Sequence, residues 1–432
     1  MNPKQMLITM GLSVTTVIEL VILLLFFFIF NFWLSFLILL GFIGFILFKT
    51  MKLLQQQKQA NRDNMFNQEI PKSMKGAYYS SSWKKLIDFS DYLVPLITAE
   101  DELLIKVHAA SLNPIDYKII YTRIPFYRWF IFPNFGIGKD FSGEVVGVGN
   151  MVSKFHIGDI VYGFACMGTL QEYTITKEKF IRFIPDRVKF SQAAAVPFAG
   201  VASFQSLNYF YQNSVNPNEN IYNEYGFDPD LSGKNILVIG ASGGCGHLAI
   251  QIAKFLNGNE IYGVCGNENV EIIKGIGVCE DVFSYESLSF EQDLEKVLKN
   301  PEGEGKIDLI FDTVSSRKDG DVSKLYMKYL KPDGKYVSLN SNSLIKLCAG
   351  LIKNWIPKLN LEKKDTHLHF INKNEEKGLE VLSNMMNQGK ITFFINNVFF
   401  EHQAIEQAIQ LLKSRKTRGK LVCNIIDENI II

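Results

Sequence analysis

The sequence has no excess of charge of either sign and little cysteine, and each shortage excludes a class of protein. Its 432 residues carry 45 basic and 44 acidic side chains, so the basic surface that nucleic-acid binding needs is missing. Its six cysteines form no CxxC pair and are spread over unrelated segments. A disulfide framework and a cysteine-rich zinc lobe are therefore not expected. We predict free thiols in a reducing compartment and no nucleic acid as partner.

Charged side chains are entirely absent from one stretch near the N terminus. From Leu20 to Phe48 the chain has 29 uncharged residues, and a helix of that length spans about 43 Å against a hydrocarbon core of about 30 Å. A cleaved signal peptide has an apolar region about half as long. We predict one transmembrane helix over residues 17–48, between a tail at 1–16 and a polar stalk at 49–72.

The charges on either side of this stretch predict its orientation. Only Lys4 and Glu19 are charged before it, whereas several basic residues follow it, at Lys49, Lys52, Lys58 and Arg62. Positive residues stay on the cytoplasmic side of a membrane or its matrix equivalent. We therefore expect a single-pass membrane protein with its C-terminal part on that side. Residues 1–16 are not an Arg-rich amphipathic presequence, and both the mitochondrial inner membrane and an endomembrane stay open.

Beyond the stalk, the pattern of apolar residues predicts an α/β protein. Short strands with turns follow from Met74, for example at 102–110 and 140–149. From about Ser203, strands that are apolar throughout alternate with helical patterns, which is typical of a parallel sheet buried on both faces. We predict a β-rich catalytic domain, an inserted Rossmann-type doubly wound sheet and a return to the catalytic domain, at 73–204, 205–370 and 371–432.

Individual elements of the inserted sheet can be read from the same pattern. The polar segment 211–232 is expected to be an exposed loop before the sheet. Strands are predicted at 235–240, 260–266, 306–314 and 334–340, and helices between them at 247–257, 269–277 and 323–331. After these we expect a strand at 390–400, a helix at 402–414 and a strand at 419–425.

A glycine turn between the first of these strands and the next helix predicts a dinucleotide site. It reads as an A-x-G-x-x-G variant of the dinucleotide fingerprint. Gly243 lets the backbone approach a pyrophosphate, and Gly246 lets helix and strand pack closely. The helix that begins near Gly244 points its N-terminal amides at the anion. The residues predicted to hold the cofactor here are Ala241, Ser242, Gly243, Gly244, Cys245 and Gly246.

Six motifs carry a resemblance to a known family. They are "ASLNPIDYK" (110–118), "GKDFSGEVVGVG" (138–149), "GDIVYG" (158–163), "AAAVPFAG" (193–200), "GASGGCG" (240–246) and "TRGKLV" (417–422). With them, residues 73–432 resemble the medium-chain dehydrogenase/reductase superfamily, in its zinc-independent quinone oxidoreductase branch. The resemblance implies that the β-rich domain is GroES-like and carries the substrate site.

The same resemblance implies roles for individual residues. Asn113 and Lys118 are expected beside the nicotinamide ribose and the substrate carbonyl, with Asp116 bracing their loop. Tyr117 either donates a hydrogen bond or proton to a developing enolate or is a packing aromatic. Further contacts to the cofactor are expected from Thr313, Leu339, Lys416, Thr417 and Arg418.

Zinc is not expected, because the ligand positions of the zinc-dependent members hold other residues. Those members have a cysteine in the segment that here reads "NPIDYK", a His-Glu pair where this chain has Lys139 and Asp140, and four clustered cysteines. Without a Lewis acid, alcohol oxidation of the zinc type is not expected. Hydride transfer to a quinone or an electron-poor double bond remains.

The end of the second strand predicts which nicotinamide nucleotide binds. NAD-specific sites place an acid there, whereas this chain has Gly266, so NADPH is the first choice and NADH the less favoured one. Glu268 is a misfit, because its carboxylate repels a 2′-phosphate. We expect Tyr285 and Arg418 to supply compensating contacts, and Gly266 and Asn269 to lie among the cofactor-binding residues.

Two functions stay open from the sequence. The first is a membrane-anchored NADPH-dependent oxidoreductase that reduces a lipophilic quinone or conjugated carbonyl, with the bilayer as partner through residues 17–48. The aromatic run 124–136 fits a pocket lip, and 343–359 fits a homodimer face or a membrane contact. The second is a non-catalytic accessory or scaffold subunit of a membrane assembly, favoured by Glu268 and by Ser315 in place of a glycine.

Overall fold

The computed structural model describes residues 70–79, 87–121, 136–214, 230–314, 323–339 and 375–426. The predicted tail, the predicted membrane helix and nearly all of the predicted stalk lie outside these ranges. So do Ser315, the aromatic run up to residue 135, and 343–359. In the part of the chain that is described, no helix is long and apolar enough to cross a bilayer. The chain divides into Met1–Ile70 and Pro71–Ile432, and all described elements belong to the second unit.

The described strands form an antiparallel and a parallel region. In chain order the strands are β1 (Ser73–Tyr79), β2 (Ile87–Leu93), β3 (Glu102–Leu112), β4 (Asp140–Val148), β5 (Ile160–Phe164), β6 (Tyr173–Lys177), β7 (Ile181–Phe183), β8 (Ile236–Ile239), β9 (Ile261–Cys265), β10 (Asp281–Ser284), β11 (Ile307–Asp312), β12 (Leu330–Ser338), β13 (Ile395–Phe399) and β14 (Lys420–Asn424).

The described helices are numbered in chain order in the same way. They are α1 (Pro114–Tyr121), α2 (Phe190–Ala194), α3 (Pro197–Ser214), α4 (Gly246–Phe255), α5 (Val270–Lys274), α6 (Phe290–Leu298), α7 (Ser323–Met327), α8 (Glu375–Asn387) and α9 (His402–Ser414).

The first sheet combines strands from both ends of the second unit. Its order is β13-β14-β3-β4-β5-β7, with β6 also paired to β3, and a separate antiparallel pair joins β1 to β2. Strand β14 pairs antiparallel with β3, so that Cys423 lies opposite Ala110. Helix α9 covers this sheet and contributes Ile405 and Ile409 to its apolar core. Lys420 at the start of β14 bonds to Asn113, which lies 307 positions earlier in the chain. The C-terminal strands thus complete a sheet that begins more than 300 residues earlier.

The second sheet is parallel and buried on both faces. Its order is β10-β9-β8-β11-β12, which is the strand order of a doubly wound nucleotide fold. Ile236 and Val238 of β8 pack in one apolar cluster with α4, and Leu237 and Ile239 pack in another with α6. The run "ILVI" is apolar throughout because both sides of the strand are covered. The predicted α/β class, with a GroES-like and a Rossmann-like sheet, is confirmed.

Several predicted element boundaries were wrong because tertiary contacts decide them. The helix predicted at 323–331 ends at Met327, since Tyr329 O accepts a hydrogen bond from Ile307 N over 3.0 Å and leads directly into β12. The strand predicted at 390–400 begins only at Ile395. Just before it, the amide of Thr392 donates to Gln251 Oε1 over 2.6 Å instead of to a neighbouring strand.

The predicted loop 211–232 also differs from the structure. The first four residues of that loop are helical, because α3 continues to Ser214. Helix α8 packs Leu379, Leu382 and Met385 in an apolar cluster that contains both Val238 of the parallel sheet and Tyr162 of the antiparallel sheet.

Candidate cofactor and substrate site

The glycine turn lies at the carboxyl edge of the parallel sheet, directly after the central strand β8. Gly240 has φ +81°, a conformation that side chains other than glycine rarely adopt. A Cβ on Gly246 would lie 2.0 Å from Gly240 O, so helix α4 could not pack on the turn with any larger residue. Among the described residues, a Cβ on Gly243 would meet only Gly240 O, at 3.3 Å. The outer face of Gly243 is therefore open to a ligand.

The N terminus of the helix that follows this turn lies beside Gly243, and His247 N donates to Gly243 O over 3.0 Å. Helix α4 begins at Gly246, slightly later than the predicted start near Gly244, and no side chain of the described residues caps it at Cys245. The first amides of a helix carry partial positive charge and bind anions. The His247 side chain is hydrogen-bonded to the turn, with Nδ1 2.9 Å from Gly243 O. Burial lowers the pKa of His247 to about 4, so the neutral ring donates from Nδ1.

A second group of predicted cofactor residues surrounds the end of β9. A Cβ on Gly266 would lie 3.1 Å from the hydroxyl oxygen of Tyr285 and 3.7 Å from Asn269 Nδ2, which places both side chains beside the glycine. Arg418 reaches the same place and forms an ion pair with Glu268 through Nη2 and Oε2. The Arg418 guanidinium holds the pKa of Glu268 below its usual value, and Lys416 adds to this effect.

Two buried polar atoms in this region have no hydrogen-bond partner within the described residues. They are Asn269 Oδ1 and Thr417 Oγ1. A buried polar atom without a partner costs free energy of about 1–3 kcal/mol, and a nucleotide offers both hydroxyl donors and phosphate acceptors. These residues and the open Gly243 face fit a dinucleotide. The chemistry of these residues is therefore compatible with a dinucleotide cofactor.

Thr313 and Leu339 lie at the ends of the next two strands. Thr313 Oγ1 donates to Ile239 O over 2.9 Å and stands beside Gly240. Leu339 N donates to Asp312 O over 3.0 Å, and its side chain packs on the apolar cluster of the parallel sheet. The carboxyl ends of β8, β9, β11 and β12 thus gather the predicted residues along one edge, where open α/β sheets bind their ligands.

The segment 110–118, where β3 of the antiparallel sheet turns at Asn113 into α1, is called the Asn113 loop. It is braced by Asp116 as predicted. Asn113 N donates to Asp116 Oδ2 over 2.7 Å, and Tyr79 Oη donates to Asp116 O over 3.0 Å. Asp116 is completely buried. Burial raises the pKa of this carboxyl to about 7, although the hydrogen bond from the backbone of Asn113 lowers it. The loop therefore depends on an acid whose ionisation the protein opposes.

Asn113, Tyr117 and Lys118 occupy different environments. Asn113 is 2% exposed and its amide bonds to protein groups, with Oδ1 2.6 Å from Lys420 Nζ. Tyr117 packs against the apolar core of the first sheet, in agreement with the packing alternative. Burial, followed by the charge of Arg415, lowers the pKa of Lys118, and Cys245 of the glycine turn acts in the opposite direction. Lys118 is thus the member of this set that is electrostatically linked to the turn.

Sequence reasoning missed the buried pair of Lys420 and Asp140. Lys420 Nζ lies 3.0 Å from Asp140 Oδ2, and the two side chains are 3% and 0% exposed. Both residues belong to the quoted family motifs. The signal was a charged residue in each of two strands whose other residues are mostly apolar, "KLVCN" and "DFSGEVVGV". Charges that are buried in strands are expected to be paired.

The surroundings of Asp140 are positively charged. Lys139 Nζ donates to Cys166 O over 2.6 Å, and the ammonium of Lys420 bonds to Asp140 itself. Two ammonium groups thus lie where the zinc-dependent relatives were expected to place ligands. Within the described residues, no group of three or more His, Cys, Asp or Glu side chains could hold a metal ion.

Two family models match separate parts of the chain. Residues 99–186 match the "Alcohol dehydrogenase GroES-like domain", and residues 279–423 match "Zinc-binding dehydrogenase". The first covers most of the antiparallel sheet, and the second covers the later strands of the parallel sheet together with β13 and β14.

Whole proteins are similar over a larger part of the chain. The chloroplast envelope quinone oxidoreductase homolog of Arabidopsis thaliana is 31% identical over 70% of this chain and 84% of that protein. The chloroplastic NADPH-dependent alkenal/one oxidoreductase of the same species is 31% identical over 62% of this chain and 63% of that protein. A chloroplastic quinone-oxidoreductase homolog of Spinacia oleracea is 36% identical, but the match spans 53% of that protein. The structure of the quinone oxidoreductase from Coxiella burnetii is 28% identical, with a TM-score of 0.61, over 82% of this chain and 100% of that one.

Proposed function

The chain is an oxidoreductase that belongs to the medium-chain dehydrogenase/reductase family, and from this premise we propose that it transfers hydride from NADPH to a quinone or a conjugated carbonyl. The observation that carries the proposal is the open face of Gly243 in front of the uncapped N terminus of α4. A pyrophosphate that lies on this face accepts hydrogen bonds from backbone amides and is stabilised by the helix dipole.

NADPH is proposed over NADH because of the basic residues near Gly266. Arg418 and Lys416 lie within electrostatic reach of the position after β9, and a guanidinium pairs well with a phosphate. In the free protein Arg418 pairs with Glu268, and a 2′-phosphate can take over the guanidinium. A relative named as NADPH-dependent supports this preference.

The chemistry needs positioning more than acid–base groups. Bound NADPH supplies a hydride, and reduction of a conjugated carbonyl is completed by a proton. Lys118 is the cation on the Asn113 loop that can stabilise negative charge on the carbonyl oxygen. Tyr117 is the proposed proton donor. Because its ring packs against the apolar core of the first sheet, this role requires the side chain to turn toward the substrate. No metal is needed for these steps, and zinc independence is part of the proposal.

Anchoring in a membrane is proposed from the sequence alone. The uncharged stretch from Leu20 to Phe48 is long enough to span a bilayer, and a single-pass anchor would place the site near lipophilic substrates. The basic residues after the stretch favour a cytoplasmic or matrix location for Pro71–Ile432. A relative whose name includes the chloroplast envelope supports association with an organelle. Protease added to sealed mitochondria should leave a matrix-facing C-terminal part intact, and protease added to sealed endomembrane vesicles should digest a cytoplasm-facing one. The opposite result in the membrane where the protein is found would overturn the topology.

The proposed reaction is tested with the full chain in detergent. We expect NADPH to be consumed when a water-soluble benzoquinone or methyl vinyl ketone is added, and to be consumed much more slowly with NADH at the same concentration. A secondary alcohol with NADP⁺ should give no reduction of the cofactor. Binding of NADPH without turnover of either acceptor would contradict the proposed substrates, and no binding at all would favour the accessory or scaffold function.

A further inference from the structure

Lys420 contacts the glycine turn through its aliphatic part. It is the first residue of β14 and is almost fully buried. A Cβ on Gly244 would lie 3.0 Å from Lys420 Cδ and 3.6 Å from Lys420 Cγ, so the lysine side chain runs along the turn. The preceding residue strengthens the contact, because Gly419 N donates to Ser242 O over 2.8 Å. Strand β14 therefore holds the turn through one backbone hydrogen bond and one side chain.

The ammonium group of the same side chain bonds to polar groups of the antiparallel sheet. Lys420 Nζ donates to Asn113 Oδ1 over 2.6 Å and to Asp140 Oδ2 over 3.0 Å. Asp140 also accepts from Ser111 Oγ over 2.8 Å, from Asn113 Nδ2 over 2.9 Å and from the amide of Phe198 over 2.8 Å. One carboxylate thus connects β3, β4, β14 and the first turn of α3.

The charge of Lys420 matters to this network as much as its hydrogen bonds. The hydroxyl, amide and backbone donors around Asp140 are neutral, and a fully buried carboxylate is stable only when an opposite charge lies close to it. Within the described residues, the ion pair with Lys420 supplies this opposite charge to Asp140. Loss of the ammonium would leave a buried negative charge beside Asn113 and would loosen the loop that Asn113 begins.

We propose that Lys420 is a positioning residue that fixes the glycine turn and the Asn113 loop relative to each other. Its aliphatic carbons contact the glycine turn, where the cofactor is proposed to bind. Its ammonium holds the Asn113 loop, where the substrate is proposed to bind, through Asn113 and Asp140. The catalytic consequence rests on the proposed hydride transfer, in which the two reacting carbons must meet closely. A displacement of about 1 Å can lower the rate of such a step by about 100-fold.

Hydrogen–deuterium exchange of the full chain tests the coupling without cofactor or substrate. Lys420→Met keeps most of the stem but frees it from Asn113 and Asp140, so the stem no longer holds the turn in a fixed position. We expect amides in 110–118 and in 240–246 to exchange about 10-fold faster or more, while β10 and α6 keep their wild-type rates. Lys331→Met is the matched control, because Lys331 Nζ lies 2.7 Å from Asp308 Oδ2 near the start of β11. It should leave both segments unchanged. Faster exchange in one segment only, in neither, or throughout the protein would overturn the proposal.

A double variant keeps the test decisive if Lys420→Met does not fold. Asp140→Asn with Lys420→Met removes both buried charges and nearly preserves their shapes. We expect this variant to fold and still to show faster exchange in both segments, since the ionic connection is gone. Wild-type exchange in both segments would show that the charge pair does not couple the two loops.

Kinetics separate this inference from the proposed function. For Lys420→Met, or for the double variant, we expect single-turnover hydride transfer from NADPH to methyl vinyl ketone to fall about 100-fold. The Kd for NADPH should change by less than about threefold, since the Gly243 face is intact. Equal rates in variant and wild type would overturn the positioning role alone. If the wild type transfers no hydride, the proposed function fails, and the exchange result still decides the role of Lys420.

Discussion

Arg418 and Glu268 form an ion pair beside Gly266, where the cofactor ribose is proposed to bind. The two residues come from distant parts of the chain: Glu268 follows β9 and Arg418 precedes β14. The sequence suggested Glu268 as a misfit for NADPH and Arg418 as a compensating group. The structure joins them, so the carboxylate neutralises the cation that a 2′-phosphate needs. Glu268 is therefore a competitor of the phosphate for Arg418.

Removal of this competitor should strengthen NADPH binding. We expect Glu268→Gln to lower the Kd for NADPH by about 3–10-fold, because Arg418 is released toward the 2′-phosphate at an exposed site. NADH lacks this phosphate and should bind as it does to the wild type. Fluorescence titration with both cofactors measures the effect, and Glu271→Gln is the control for a nearby exposed carboxylate. Equal gains for both cofactors would mean that Glu268 does not face the 2′-phosphate.

Two glycines of the turn should differ in their effect on stability. Gly246→Ala places a methyl group 2.0 Å from Gly240 O, and the free energy of unfolding should fall by about 1–3 kcal/mol or more, as in other overpacked sites. Gly243→Ala is the matched control, since Gly240 O, at 3.3 Å, is the one atom of the described residues that its methyl group meets. Urea unfolding of the two variants checks this difference. A larger loss for Gly243→Ala would contradict the described packing of the turn.

The buried carboxyl of Asp116 should make stability depend on pH. Burial raises its pKa to about 7 in the folded protein from an ordinary value of 3.8. Between these two pH values the folded state therefore keeps a proton that the unfolded state has released. The stabilisation is fully present below about pH 4 and is lost as the pH rises toward and through 7. Asp116→Asn cannot ionise. Its free energy of unfolding, relative to that of the wild type, should therefore be higher at about pH 8 than at about pH 5, as measured by urea unfolding at both pH values. A stability difference that is the same at both pH values would contradict the raised pKa.

The purified protein is expected to contain no stoichiometric zinc. The ammonium groups of Lys139 and Lys420 are directed to Cys166 O and Asp140, and positive charges at these positions repel a divalent cation. Elemental analysis after dialysis without chelator measures the content. About one zinc per chain would show that ligands exist elsewhere in the chain and would reopen alcohol oxidation as a reaction.

Local patterns predicted the fold, whereas long-range contacts were not predictable from spacing. The apolar strand "ILVI" and the glycines after it specify a strand, a turn and a helix within about 20 residues, the scale on which a nucleotide fingerprint operates. The pair of Lys420 and Asn113 joins residues 307 positions apart, and no periodicity relates them. Tyr117 illustrates the same limit, because its motif predicts either a donor or a packing ring, and only the contact with the core of the first sheet distinguishes them.

The account depends most directly on whether the glycine turn holds NADPH. Fluorescence titration of the full chain with NADPH should show saturable binding for the wild type. Gly243→Val should abolish this binding, because a branched side chain occupies the face on which the pyrophosphate lies, while circular dichroism stays that of the wild type. Saturable binding that Gly243→Val leaves unchanged, or no binding by the wild type, would contradict the account.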